Sequence, residues 1–406
     1  MKKYLIIALA AIVTMACTRV ETVDTTPDTP IRFAVVNHLQ QQQTKATTGL
    51  AYPTSVPFGT FAWWTEGNWA DATNPKDYVF MDNEQVSYQA TPKVWAPSQT
   101  YYWTKTGKLT FASYSPYTDG TDKGFSAVPV YDVAKGFLFN NYTVVNTTDV
   151  DLMYANLAAD CTQNSNGSGS MVYDGTTGEN GTDHGYSGVP TIFNHALCQL
   201  GFEFRSLGNL NPNVDKIIIE LTKVEIANID KTGSFTQIPA VTTPATPRWA
   251  TNHTATAVTS YDFSPSAAIS MEVKPDNTEN RASVTYTSTG VSRILLPQIL
   301  QDDDDLTDAT VDPIATTTDQ KLVLTYNIKS HYKNTAADVF AVENDVKTTV
   351  RLYKGNIAEW KENQNITYRI TINPYSSDTI TFDPAVIDWT DVNSNDIVVT
   401  PDAPAN

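Results

Sequence analysis

In the stretch IFNHALCQLGFEFRS, residues 192–206, an imidazole and a thiol stand three positions apart at His195 and Cys198. These are the residue types of a nucleophile with its general base, or of two ligands in a zinc site. Either chemistry needs the two side chains on one side of the backbone. Around them Ala196, Cys198, Leu200, Phe202 and Phe204 share one parity and His195, Gln199, Glu203 and Arg205 the other, with Leu197 the exception. This alternation predicts one half-buried strand. On such a strand His195 and Cys198 leave opposite faces of the sheet, so the thiol cannot pass its proton to this imidazole or share a metal with it. The expectation is a core cysteine beside a satisfied or surface histidine.

Other candidate chemistry is no better assembled. The five histidines, His38, His184, His195, His253 and His331, show no metal-ligand spacing, and neither a metal nor a cofactor is expected. The glycines of NGSGS and GTTGENG do not open a helix after a strand, so they cradle no phosphate. The acidic run QDDDDLTDATVD, residues 301–312, lacks the glycine and the terminal glutamate of a calcium-binding helix-loop-helix and reads as a solvated loop. Paired carboxylates for glycoside hydrolysis depend on a separation that sequence does not measure. Trp63, Trp64, Trp95 and Trp103 could stack sugars, but in aromatic strands core packing is the expected use.

Length and charge narrow the class. The 406 residues are enough for two domains. A net charge of −17 argues against nucleic acid as partner, because that affinity comes from Lys and Arg on phosphates. The start, MKKYLIIALAAIVTMAC, has two lysines, an apolar run and a small residue before Cys17, the pattern of a secretory signal peptide. A cysteine at that place resembles a bacterial lipobox, with Thr14 where an aliphatic is usual, so Cys17 is the expected lipidation site. Cys161, in a Gly/Ser/Asn-rich segment, and Cys198, on an apolar strand face, are not expected to form a disulfide framework.

The elements that would position any site are strands. Residues 18–30 are polar and proline-punctuated, a tether; IRFAVVNH, residues 31–38, is a lone strand followed by the Gln/Thr-rich linker LQQQQTKATTG. Aromatic or β-branched runs then recur at 56–64, 94–117, 216–236, 292–300, 321–328, 348–355, 366–372 and 379–389, with no sustained helical period. Many short strands at such spacing predict an all-β sandwich architecture. Residues 159–188 read as a long loop, and LGNLNPNVD, residues 207–215, as a domain boundary.

In order, the leader, FGTFAWW, YYW with LTFASYSPY, FNHALCQLGFEFR, RILLPQ and NITYRITI with VIDW resemble the fimbrillin-like family of Bacteroidetes, subunits and accessory proteins of type V pili. The resemblance implies two transthyretin-like β-sandwich domains in tandem: a signal peptide over 1–17, a tether plus removable strand over 18–45, and domains over 46–207 and 208–406. It implies a structural or adhesive, non-enzymatic subunit at the cell outer membrane and surface, anchored through lipid and assembled with other pilus subunits by strand exchange. Ile31, Phe33 and Val35 then match the core side of the removable strand, and Lys45-Ala46 the cleavage site, with Lys where the best-known members have Arg. Ile397, Val398 and Val399 are the candidate donor strand, and a host or bacterial surface molecule is the ligand an adhesive subunit would meet. The alternatives are a monomeric outer-membrane glycan-binding lipoprotein and a secreted glycoside hydrolase.

Overall fold

The computed structural model describes residues 29–37, 52–145, 150–163, 188–212, 214–242, 246–251, 253, 258–300, 320–332, 339–352, 358–374 and 380–388. The first half holds β1 (Phe33–Asn37), β2 (Phe58–Thr65), β3 (Val79–Ala90), β4 (Lys93–Pro97), β5 (Lys108–Ser115), β6 (Val130–Asp132), β7 (Gly136–Thr143), β8 (Met153–Ala155), β9 (Ala158–Cys161) and β10 (Val189–His195). The second half runs through β11 (Cys198–Ser206), β12 (Val214–Asp230), β13 (Thr232–Thr236), β14 (Trp249–Thr251), β15 (Val258–Asp262), β16 (Ile269–Glu272) and the short helix α1 (Thr278–Ser283). It ends with β17 (Thr287–Leu295), β18 (Gln298–Ile299), β19 (Lys321–Tyr332), β20 (Val339–Arg351), β21 (Glu359–Trp360), β22 (Gln364–Ile372) and β23 (Ile380–Asp388).

In the first half the strand order β2-β3-β4-β1-β10-β8-β5 closes on itself through a β2–β5 pairing, and β9 follows β8 along the same edge of β5. The closure explains why FGTFAWWT does not alternate. Phe58 and Ala62 point into the ring, whereas Phe61 and Trp63 point out against a second layer, so both faces of β2 are covered. β5 does the same, with Leu109 and Phe111 inward and Ala112 and Tyr114 outward. The second layer is the sheet β14-β13-β7-β6, which draws strands from both halves of the chain. Its Phe137, Phe139, Phe235 and Trp249 fill the core between the layers.

The second half makes a sandwich of its own. The sheet β17-β11-β22-β23 faces a sheet centred on β12 and β19. Leu200, Phe202 and Phe204 with Ile366, Tyr368 and Ile370 meet Ile217, Ile219, Leu221, Leu322 and Leu324 in one aliphatic-rich core. The strict alternation along β11 is that of a strand with one face buried and one turned outward. Pro384 sits in β23, which among the described residues pairs with β22 alone, an edge position where a missing N–H is tolerated.

The all-β expectation holds. The single strand expected over FNHALCQLGFEFR does not: β10 ends at His195, β11 begins at Cys198, and the two lie in different sheets. Leu197, the exception to the parity, is part of the turn between them. Three consecutive residues here serve two cores, Ala196 and Leu197 the one between the layers and Cys198 that of the second sandwich. The change of sheet thus falls upstream of residues 207–215. Cys161, expected in a polar loop, instead ends β9 inside the ring, because the apolar stretch just before it, Ala158 and Ala159, is buried. The strands β3 and β7 were not expected, since their mixed sequences carry no clear period of two. Helix α1 is six residues long, too short for a helical pattern to register, and is started by Asn277, whose side chain accepts from the Asn280 N–H at 2.8 Å.

Candidate functional site

The site with a distinctive construction is the slot in the ring that β1 fills. β1 runs parallel to β10, with Phe33 level with Val189 and Val35 level with Thr191, and antiparallel to β4, where Phe33 pairs with Trp95. Just before it, the Ile31 N–H donates to the Tyr101 carbonyl at 2.8 Å and the Trp103 N–H to the Thr29 carbonyl at 3.1 Å. On the other edge the Val189 N–H donates to the Arg32 carbonyl at 2.7 Å. Because N–H groups alternate along a strand, the missing donor of Pro190 falls on the side of β10 away from β1, so this proline costs the slot no hydrogen bond.

Inward side chains hold the strand as well as its main-chain pairings do. Ile31 and Phe33 are 1% and 3% exposed, and Val35 packs half-buried on the same core. The Phe33 ring meets Phe58 and Phe111 edge to face, with centroids 5.6 and 5.7 Å apart. Phe58 in turn packs on Trp95, Phe193 and Tyr52, so Phe33 joins an aromatic nest whose hub is Phe58. Gly188 matters at the rim. Its φ of +140° and the position of a Cβ there, 2.6 Å from the Arg32 carbonyl oxygen, leave room for glycine alone.

Of the residues singled out from sequence, Ile31, Phe33 and Val35 lie together on this core. Cys17, Lys45, Ala46, Ile397, Val398 and Val399 lie outside the described residues. Phe58, Trp95, Phe111 and Gly188, which complete the slot, were not assigned to it. FGTFAWW and LTFASYSPY marked the strands carrying Phe58 and Phe111, but nothing local says which face of them looks into the ring. Gly188 was read as part of a loop.

The His195 and Cys198 pair is settled by geometry. His195 Nδ1 is 2.7 Å from Asp151 Oδ2, and the ring is buried. Cys198 Sγ donates to the Leu295 carbonyl at 3.4 Å, in a different core. Burial pushes both thiols, Cys161 and Cys198, well above the ordinary cysteine range, so neither is a thiolate nucleophile at neutral pH. They pack in separate cores and do not bridge each other. Among the described residues there is no cluster of His, Cys, Asp or Glu able to hold a metal ion, and no helix long and apolar enough to cross a membrane. Trp63 and Trp95 are buried, while the half-buried Trp64 donates its indole N–H to the Thr106 carbonyl at 2.9 Å.

The fold and its aromatic packing define an all-β protein built of stacked sheets. A family model described as fimbrillin-like matches residues 44–389, and the chain belongs to that family. No curated protein matches the sequence. Among solved structures, a fimbrial protein from Bacteroides vulgatus is similar at 16% identity and a TM-score of 0.52, with 89% of this chain and 99% of that one covered. The tip fimbrial protein Mfa3 from Porphyromonas gingivalis, with a C-terminal truncation, is more distant: 9% identity, a TM-score of 0.28, and 82% and 94% covered. The first of these likenesses speaks for the fold, and the second carries no argument.

Proposed function

We propose that this chain is a structural or adhesive subunit of a cell-surface pilus, exported as a lipoprotein through Cys17 and assembled by strand exchange. In this reading Ile31, Phe33 and Val35 belong to a strand that leaves after cleavage at Lys45-Ala46. The vacated slot then accepts a strand from another subunit, and the tail containing Ile397, Val398 and Val399 is donated onward. Two tandem transthyretin-like sandwiches, joined between Ala196 and Asp215, form the body. The outer membrane holds the precursor, and a host or bacterial surface molecule is the ligand of an adhesive subunit.

The observation that carries this reading is the place of β1. It lies inside the ring, between β4 and β10, while the chain reaches the next described residues only at Tyr52. A buried strand joined to its body by a polar, glutamine-rich segment is one that a single cut can release. Main-chain hydrogen bonds along the opened edges then supply affinity and the side-chain pockets specificity, whereas an edge left empty invites aggregation.

Full-length protein cut at Lys45 should form ladders that survive mild heating in detergent, and removal of residues 393–406 should abolish them. Cut protein that stays monomeric at high concentration would speak for the monomeric glycan-binding reading instead. The Cys17→Ala variant should lose incorporation of a palmitate analogue; equal labelling of variant and wild type would remove the lipid anchor from the proposal.

A further inference from the structure

We infer that the hairpin β13–β14 is a strap by which the second half of the chain holds the ring in shape once β1 has left, so that the emptied subunit stays folded. This device, which rests on the strand-exchange reading above, protects the state between the departure of one strand and the arrival of the next.

The need for a strap follows from the two faces of β2 and β5. Their inward residues Phe58, Ala62, Leu109 and Phe111 share a core with Ile31, Phe33 and Val35, and that core is depleted when β1 goes. Their outward residues Phe61, Trp63, Ala112 and Tyr114 pack in a core that contains no residue of β1. The emptied ring is an open sheet, still joined through the β2–β5 pairing, and it keeps one intact face as long as the second layer stays on it. Of that layer's four strands only β6 and β7 come from the first half, and β6 is three residues long. A two-stranded hairpin of that size is marginal by itself. The other two strands, β13 and β14, are brought by the second half.

The strap is tied along its length. β12 ends at Asp230 in the second sandwich, and after Lys231 alone the chain enters β13, which pairs with β7 from Thr232, level with Thr143, to Thr236, level with Leu138. Phe235 stacks on Phe139 with centroids 5.4 Å apart and meets Tyr154 and Trp249 at 5.3 and 5.2 Å. In β14 the Trp249 indole N–H donates to the Ala196 carbonyl at 2.6 Å, where the chain passes from one sheet to the next. At the base of the hairpin His253 Nδ1 lies 2.9 Å from Asp230 Oδ1, and the Asp230 N–H donates to Gln298 Oε1 at 3.0 Å, so both ends are fixed to the second half. That half has a core drawn from Cys198 to Ile372, with no residue of β1 in it. Its footing therefore survives when the slot empties, and local opening of the ring need not spread to it.

The test uses the full chain with a fluorophore on the leading segment and a specific-protease site beside Lys45. After the cut, the labelled segment is separated by gel filtration in urea below the unfolding transition, and hydrogen exchange is followed by mass spectrometry. Once the segment has left, amides of β7, β13 and β14 should exchange at least about tenfold more slowly than in the unfolded chain. Peptides covering β10 should gain exchange, because the Val189 N–H loses the Arg32 carbonyl. Phe235→Ala should leave the uncut chain folded and remove the protection of β7 after release. Leu324→Ala, a comparable loss in the core of the second sandwich, should not. A Thr143→Cys, Thr232→Cys pair, set where the two hydroxyls lie 2.7 Å apart, keeps the test open should Phe235→Ala fail to fold. Oxidised, it should raise the urea concentration at which β7 of the emptied chain loses protection, and an unchanged concentration would overturn the strap. Free exchange of β7 in the wild-type chain after release, or equal effects of Phe235→Ala and Leu324→Ala, would overturn it as well while leaving strand release intact. If the labelled segment never separates, the strand-exchange reading falls and takes this inference with it.

Discussion

In the ring, the core is completed by a strand that the chain delivers from beyond residues 38–51, and its centre is aromatic: Phe33, Phe58, Trp95, Phe111 and Phe193. In the second sandwich the core is mainly aliphatic, and its strands all come from Cys198 onward. Both cores are sealed equally well, with Phe33 at 3% and Leu200 at 0% exposed. The difference lies in what each loses with a single cut. Under the proposed strand exchange, β1, paired with β10 and β4 and seated in a nest of rings, is replaced by another strand of the same shape. A strand such as β12, paired with β19 along most of its length and also with β15 and β16, cannot be. Between the two lies a seam in which Arg248 reaches the Tyr154 hydroxyl at 2.7 Å and Glu362 at 3.0 Å, while the Trp249 indole N–H donates to the Ala196 carbonyl at 2.6 Å.

The sharpest break of this contrast is Phe33→Ala, expected to cost about 3–5 kcal/mol and to make β1 accessible to protease before the second sandwich unfolds. Guanidinium unfolding paired with limited proteolysis reads both effects; simultaneous loss of the two halves would show that they unfold as one unit. Leu324→Ala should cost about 2–5 kcal/mol by the same mechanism, yet leave the β1 segment as protected as in wild type under native conditions. Gly188→Ala sharpens the comparison at the rim, with about 1–3 kcal/mol lost from the ring because its φ is one an alanine resists and its Cβ meets the Arg32 carbonyl. A melting curve identical to wild type would show that β1 does not need that approach.

Smaller effects test the seam and the surface. His195→Gln removes the contact to Asp151 and should lower stability by about 1 kcal/mol, with ladder formation after cutting unchanged. Loss of assembly at an unchanged melting temperature would give this histidine a role beyond packing. Lys274→Ala removes an exposed pair with Glu272, 2.8 Å apart, and should stay within about 0.5 kcal/mol of wild type in either half.

Strand content was legible because the sequence alternates or runs apolar wherever a sheet face is covered. β11 displays its burial pattern residue by residue, and the IRF of the leading segment announces its buried side through Ile31 and Phe33. β3 was not legible, because polar residues sit among its apolar ones and positive φ at Asn83 bends it, interrupting the period of two. The turn at Ala196 and Leu197 was not legible either, since both residues are apolar and carry no turn signal. They are buried because two sheets meet there, a circumstance that no local pattern encodes.

By itself, then, the sequence determined an all-β body with a detachable-looking first strand and no clustered chemistry, since these depend on local periodicity, turn residues and spacing. Tertiary structure alone decided that β2 and β5 join to close a ring, that β6 and β7 pair into a sheet with β13 and β14, and that His195 finds Asp151. It also decided that Phe33 sits between two rings drawn from distant strands. Contacts of that kind arise from which faces meet, and a face is chosen by the burial it gains across the whole fold, not by the residues beside it in the chain.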